Sequence, residues 1–77
     1  MFRFDYNKLR GRIIEKCGSF GEFSVLMGWS LTTQQRKLSG KISWTQRDIV
    51  CACRILELEA TDIPAYFFTE QVKNLTC

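Results

Sequence analysis

Residues 19–40 read SFGEFSVLMGWSLTTQQRKLSG, and this stretch decides the fold. Ser19 stands three residues before Glu22, the spacing of a capping box that opens a helix. Phe20, Phe23 and Met27 recur at helical intervals on one face. Gly28 then offers the left-handed conformation that closes a helix. Ser30 is a second N-cap, and Leu31 and Leu38 bracket a polar run, Thr32, Thr33, Gln34, Gln35, Arg36 and Lys37. The pattern is helix, tight turn, helix. A polar second helix after a short turn has the shape that enters the major groove of duplex DNA.

Working outward, 77 residues make one domain with room for one core. A 45% hydrophobic content favours a globular chain over a disordered one. A chain of this size buries only about 60% of its unfolded surface, so a dimer partner would add stability. One Pro and five Gly leave no low-complexity tract. No apolar run reaches membrane length, and the Met1–Phe4 start lacks a secretory apolar region. A cytoplasmic protein with no membrane partner is expected.

The overall charge of +3 says little, but its distribution says more. Residues 1–41 hold eight basic and three acidic side chains, a net +5, and residues 42–77 hold three and five, a net −2. The positive half carries the two-helix motif, so a polyanion would meet that half first. The bland reading is that these charges only solvate helix faces. Cys17, Cys51, Cys53 and Cys77 have no paired metal-ligand spacing and read as reduced structural thiols. No metal or cofactor is expected. With no His, no Gly-rich phosphate loop and no activating partner for a Cys, the chain is not expected to be an enzyme.

Five helices account for nearly the whole chain. The first runs from about Tyr6 to Cys17, with Asp5 as N-cap and Tyr6, Leu9, Ile13 and Ile14 as its apolar stripe. Gly11 costs this helix about 1 kcal/mol in propensity, for which close packing or nearness to a backbone would be reasons. Helices two and three are Phe20–Met27 and Leu31–Leu38. A fourth begins at Ser43 or Thr45 and turns Ile49, Ala52, Cys53 and Leu56 inward, with Ile42 and Trp44 plugging the bundle end. Thr61 caps a short fifth helix that tolerates Pro64 in its first turn and carries Ile63, Tyr66, Phe67 and Phe68. Domain and tail divide at 1–69 and 70–77, the tail being loose. The fold class is compact all-α.

The chain resembles the phage Cro and repressor helix-turn-helix family, of the lambda-repressor-like fold, and most of all the small Cro-like regulators of phages from Gram-positive bacteria. The segment Phe4-Asp5-Tyr6-Asn7-Lys8-Leu9-Arg10-Gly11 carries the likeness at the start. Phe23, Gly28-Trp29-Ser30 and Lys37-Leu38-Ser39-Gly40-Lys41 carry it through the motif, and Tyr66-Phe67-Phe68 at the end. The likeness covers residues 4 to 69. It departs from the family pattern at Ser24, where a small Ala is usual, and at Gln34, where an apolar residue is usual. A buried Gln34 needs partners for its amide; otherwise helix three is rotated and Leu31 takes the core position. The resemblance implies a repressor of a phage lysis–lysogeny switch, a homodimer on a two-fold operator.

If helix three enters the groove, Thr32, Thr33, Gln35 and Arg36 are the base-reading candidates, since Gln matches adenine, Arg matches guanine and Thr contacts a thymine methyl. The plain alternative is that Gln and Arg are good surface helix formers. Lys37, Ser39 and Lys41 at the helix exit, with Ser19 and Ser30 at the helix starts, are the phosphate candidates, although both helix-start serines also have a capping role. Arg10 and Arg12 are weaker ones. Tyr66, Phe67 and Phe68 are divided between closing the bundle and a dimer contact. The expected function is sequence-specific operator-DNA binding through helix three as a transcriptional repressor; the alternative is an antirepressor-like module that binds a partner phage repressor through the apolar C-terminal surface. Phosphate contacts make affinity salt-dependent, which separates the two.

Overall fold

The computed structural model describes residues 4–69. The expected division at residue 69 puts the tail outside them. The elements are α1 (Asn7–Cys17), α2 (Phe20–Met27), α3 (Leu31–Leu38), α4 (Gln46–Leu56), a single 3-10 turn (Ala60–Asp62) and α5 (Ile63–Phe67). This is the all-α, five-helix architecture expected from the sequence.

Local chemistry sets most boundaries. Ser19 Oγ accepts the Glu22 N–H at 3.1 Å and opens α2. Gly28, at φ +77°, closes it, and its N–H reaches the carbonyls of Ser24 and Val25. Ser30 Oγ accepts the Thr33 N–H and opens α3. The open choice at α4 resolves to Thr45. Its hydroxyl accepts the Asp48 N–H while the Asp48 carboxylate accepts the Thr45 N–H, a complete capping box. Ser24, small enough for its site, turns its hydroxyl back onto the Gly21 carbonyl.

Several boundaries and contacts differ from expectation. α1 begins at Asn7 with Tyr6 in the cap position, and the Asp5 carboxylate accepts the Asn7 N–H from one residue further out. Thr61 is no cap; it lies inside the 3-10 turn, where the Asp62 carboxylate accepts the Glu59 N–H. Ile14 and Ile42 are exposed, so neither joins the core. An added Cβ at Gly11 would meet open space, so close packing does not account for this glycine.

The core is Tyr6, Leu9, Ile13, Phe23, Leu38, Ile49, Ala52, Leu56 and Phe67. α1, α2, α4 and α5 enclose it, while α3 packs chiefly against α2. Trp44 is the hub at one end of the core. Its ring meets Trp29 at 5.5 Å, Phe67 at 5.1 Å and Tyr6 at 6.1 Å, and its indole N–H donates to the Lys37 carbonyl at 3.1 Å. No helix among the described residues is long and apolar enough to cross a membrane.

Candidate functional surfaces

α3 has two chemically different sides. Gln34 is fully buried. Its Oε1 accepts the Trp29 indole N–H at 3.0 Å and its Nε2 donates to the Phe20 carbonyl at 2.8 Å. Both ends of the amide are therefore satisfied, and Gln34 holds the core position. The rotated alternative does not occur, because Leu31 is exposed. Lys37 is also buried. Its ammonium donates to the Ser43 carbonyl and the Asp48 carboxylate and lies 5.4 Å from the Trp29 ring centroid. Burial pushes the Asp48 carboxyl up, but bonds from Lys37 and Thr45, with the Lys37 charge, hold it below its ordinary value.

With Gln34, Lys37 and Leu38 inward, α3 turns Thr32, Gln35 and Arg36 outward together, and all three are exposed. Thr33 is set apart. It is half-buried, and its hydroxyl bonds to Ser30 Oγ at 3.0 Å within the cap. Among the phosphate candidates Lys37 must be withdrawn, because its ammonium is enclosed and neutralised by Asp48. The Ser19 and Ser30 hydroxyls are engaged as caps, and the Ser39 hydroxyl donates to the Arg36 carbonyl. Lys41 stands exposed beside this face, and its side chain makes no bond among the described residues. Arg10 and Arg12 are occupied too. Arg10 donates to the Leu38 carbonyl at 2.9 Å, closing the end of α3, and Arg12 donates to the Leu56 carbonyl at 3.0 Å, closing the end of α4. Of the basic side chains in the first half, Arg10 and Arg12 are thus engaged on carbonyls, and Arg12, Lys16 and Lys37 each meet a carboxylate, Glu15, Glu57 and Asp48.

The second surface is aromatic. Phe67 is 1% exposed and belongs to the core, so it is withdrawn as a dimer candidate. Phe68, its neighbour, is 51% exposed and meets the exposed Phe4 edge-to-face, with centroids 5.6 Å apart and an interplanar angle of 89°. The Asp5 N–H donates to the Thr69 carbonyl and ties the two ends together beneath this pair. Tyr66 is half-buried, with Lys8 Nζ 4.9 Å from its ring centroid. The sequence reading missed Phe4 as part of this surface, since 64 positions separate it from Phe68.

It also missed other exposed apolar side chains. Val25, 73% exposed, and Leu26 face outward on α2, and Val50 and Cys51 face outward on α4. Their spacing from Glu22 and from Arg47 places each pair on a helical face away from the core stripe. Cys51 is therefore not a core thiol. Cys17 and Cys53 are half-buried; burial pushes both thiols up, with Glu22 and Asp62 adding to it. Among the described residues no cluster could hold a metal ion.

The chain is similar to the modulator of repression of the temperate bacteriophage TP901-1 from Lactococcus lactis. The two are 45% identical and superpose with a TM-score of 0.76, over 84% of this chain and 88% of the phage protein. No curated protein matches the chain. A family model described as "Protein of unknown function (DUF739)" matches residues 2–70, and the chain belongs to that family.

Proposed function

We propose that this chain modulates a phage's repression by binding the phage repressor protein, in the host cytoplasm, through its C-terminal aromatic surface. The observation that carries this reading is the Phe4–Phe68 pair, two large apolar rings in edge-to-face contact and exposed outside the core. The likeness to a phage modulator of repression supports the choice of partner. The internal use of Arg10, Arg12 and Lys37 supports it too, because it leaves fewer free cationic donors for phosphates and pairs Lys37 with Asp48. The surface differs from the one expected from the sequence by one exchange, Phe4 in place of Phe67. Binding would act by occlusion or by stabilising one form of the repressor, with no chemical step.

A second reading rests on a separate observation. Thr32, Gln35 and Arg36 share the outer face of α3 with Lys41 nearby, the side-chain set for reading base edges in operator DNA. A homodimer would then use Phe68 between copies.

One titration series tests both readings. The chain is titrated against the repressor of the same phage, and against the operator-containing duplex, at low and high salt. Repressor binding that changes little with salt, and that weakens about tenfold or more in Phe68→Ala while Arg36→Ala leaves it intact, is the expected result. No repressor binding, with duplex binding that falls steeply with salt and with Arg36→Ala, would overturn it in favour of the operator reading.

A further inference from the structure

We infer that the outward face of α4, formed by Arg47, Val50, Cys51 and Arg54, is a second docking surface, and that it takes an acidic amphipathic helix of a protein partner. The core takes Ile49, Ala52 and Leu56 from this helix. Arg47, Val50, Cys51 and Arg54 follow the i, i+3, i+4, i+7 spacing of one helical face, and all four are exposed. Val50 and Cys51 are apolar side chains that the core does not use. They sit between two arginines about 10 Å apart along the helix axis.

The charges indicate what would cover this face. Neither guanidinium pairs with an acid among the described residues. The acids of α4 and its cap are committed elsewhere, Asp48 to Lys37 and Glu57 to Lys16. Arg47 lies in the first turn, where the helix dipole favours an acid over a cation. A cation placed there without an internal partner breaks a local rule with no compensation inside the fold. An apolar centre with a cation at each end matches a helix carrying two carboxylates seven residues apart around two apolar side chains. A phosphate backbone would answer the arginines but leave Val50 and Cys51 against a charged surface, so the complement is a protein. This surface is argued from α4 alone and does not rest on the repressor reading of the Phe4–Phe68 surface.

The test uses the full chain, labelled with 15N, and a synthetic peptide of about four helical turns. The peptide carries glutamates seven residues apart around a Leu-Val pair. The expected result is that shift changes gather on residues 47–54, and that the double variant Arg47→Glu with Arg54→Glu loses about tenfold or more in affinity. A peptide with lysines in place of the glutamates should then prefer the double variant to the parent. Phe68→Ala should leave peptide binding unchanged, so failure here and failure of the repressor reading are separable. Absent binding, shifts centred on Phe4 and Phe68, or a double variant that keeps its folded spectrum but shows no reversed preference would overturn the proposal. Displacement of the peptide from this face by a short DNA duplex would overturn it as well.

Discussion

Helices α1 and α3 face the same interior but turn different chemistry towards it. α1 turns only apolar side chains, Leu9 and Ile13, into the core, and its polar bonds run from the flanking Arg10, Arg12 and Lys16 to the ends of α3 and α4. α3 contributes Leu38 but also Gln34 and Lys37, whose bonds to Trp29, Phe20, Ser43 and Asp48 are directional. The difference shows how a short helix at the edge of a small domain can be fixed in rotation without much hydrocarbon. The polar pins set which side chains α3 presents, and each pin carries the penalty of an orphaned group when its partner is lost. Apolar area holds the domain together, and polar bonds orient one face of it.

The apolar side of this comparison breaks most sharply at Phe67. Its ring is buried against Trp44, with centroids 5.1 Å apart, where α5 closes the core. Phe67→Ala should cost about 3–5 kcal/mol in chemical denaturation, a large part of the stability of so small a domain. Phe68→Ala, one residue on, should stay within about 1 kcal/mol because half of its ring already faces water. Equal losses at the two positions would mean that the Phe4–Phe68 pair is structural rather than a binding surface.

The ionic pin comes next. Asp48→Asn leaves the Lys37 ammonium buried without a counter-charge and should cost about 3 kcal/mol near neutral pH. The carboxyl of Asp48 lies below its ordinary value in the folded chain. Its contribution is therefore fully present above the unfolded carboxylate value of about 3.9 and is lost as pH falls through the lower folded value. Melts of parent and variant should differ fully above about pH 5, begin to approach each other below about pH 4, and converge only once pH has fallen through the lowered folded value. A gap that stays constant through the acid range would show that Lys37 and Asp48 do not act as an ionised pair.

What the sequence made legible follows from the same contrast. Helix positions came from capping and periodicity, which are local: Ser19, Gly28, Ser30 and Thr45 do in the structure what their types favour. The uses of charged side chains did not, because those uses are long-range. Arg12 meets a carbonyl 44 positions away, Arg10 one 28 positions away, and Lys37 an acid 11 positions away. A count of charges by halves of the chain cannot tell an arginine that closes a helix end from one that faces solvent. The outer face of α3 was legible except at Thr33, whose hydroxyl the cap takes up, and at Lys37, whose ammonium is buried against Asp48. The aromatic surface was half-legible, since adjacent residues in a helix end point in different directions, as Phe67 and Phe68 do.

The neutral pin gives the smallest effect and the sharpest reading. Gln34→Leu keeps the volume but removes the acceptor of the Trp29 indole N–H and the donor to the Phe20 carbonyl. That carbonyl lies in the first turn of α2 and keeps its helical partner, so the indole is the main orphan, and the expected loss is about 1–3 kcal/mol. Trp29→Phe removes the orphaned group itself. Adding it to Gln34→Leu should therefore cost less than it does alone, a coupling that a double-mutant cycle measures. Amide exchange localises the effect. In Gln34→Leu the α3 amides should exchange faster relative to those around Leu9 and Ile13 in α1, because α3 loses a buried polar pin whereas the core side of α1 is wholly apolar. Additive losses, or equal acceleration in both helices, would mean that α3 is held by apolar packing after all, and the contrast between the two helices would collapse.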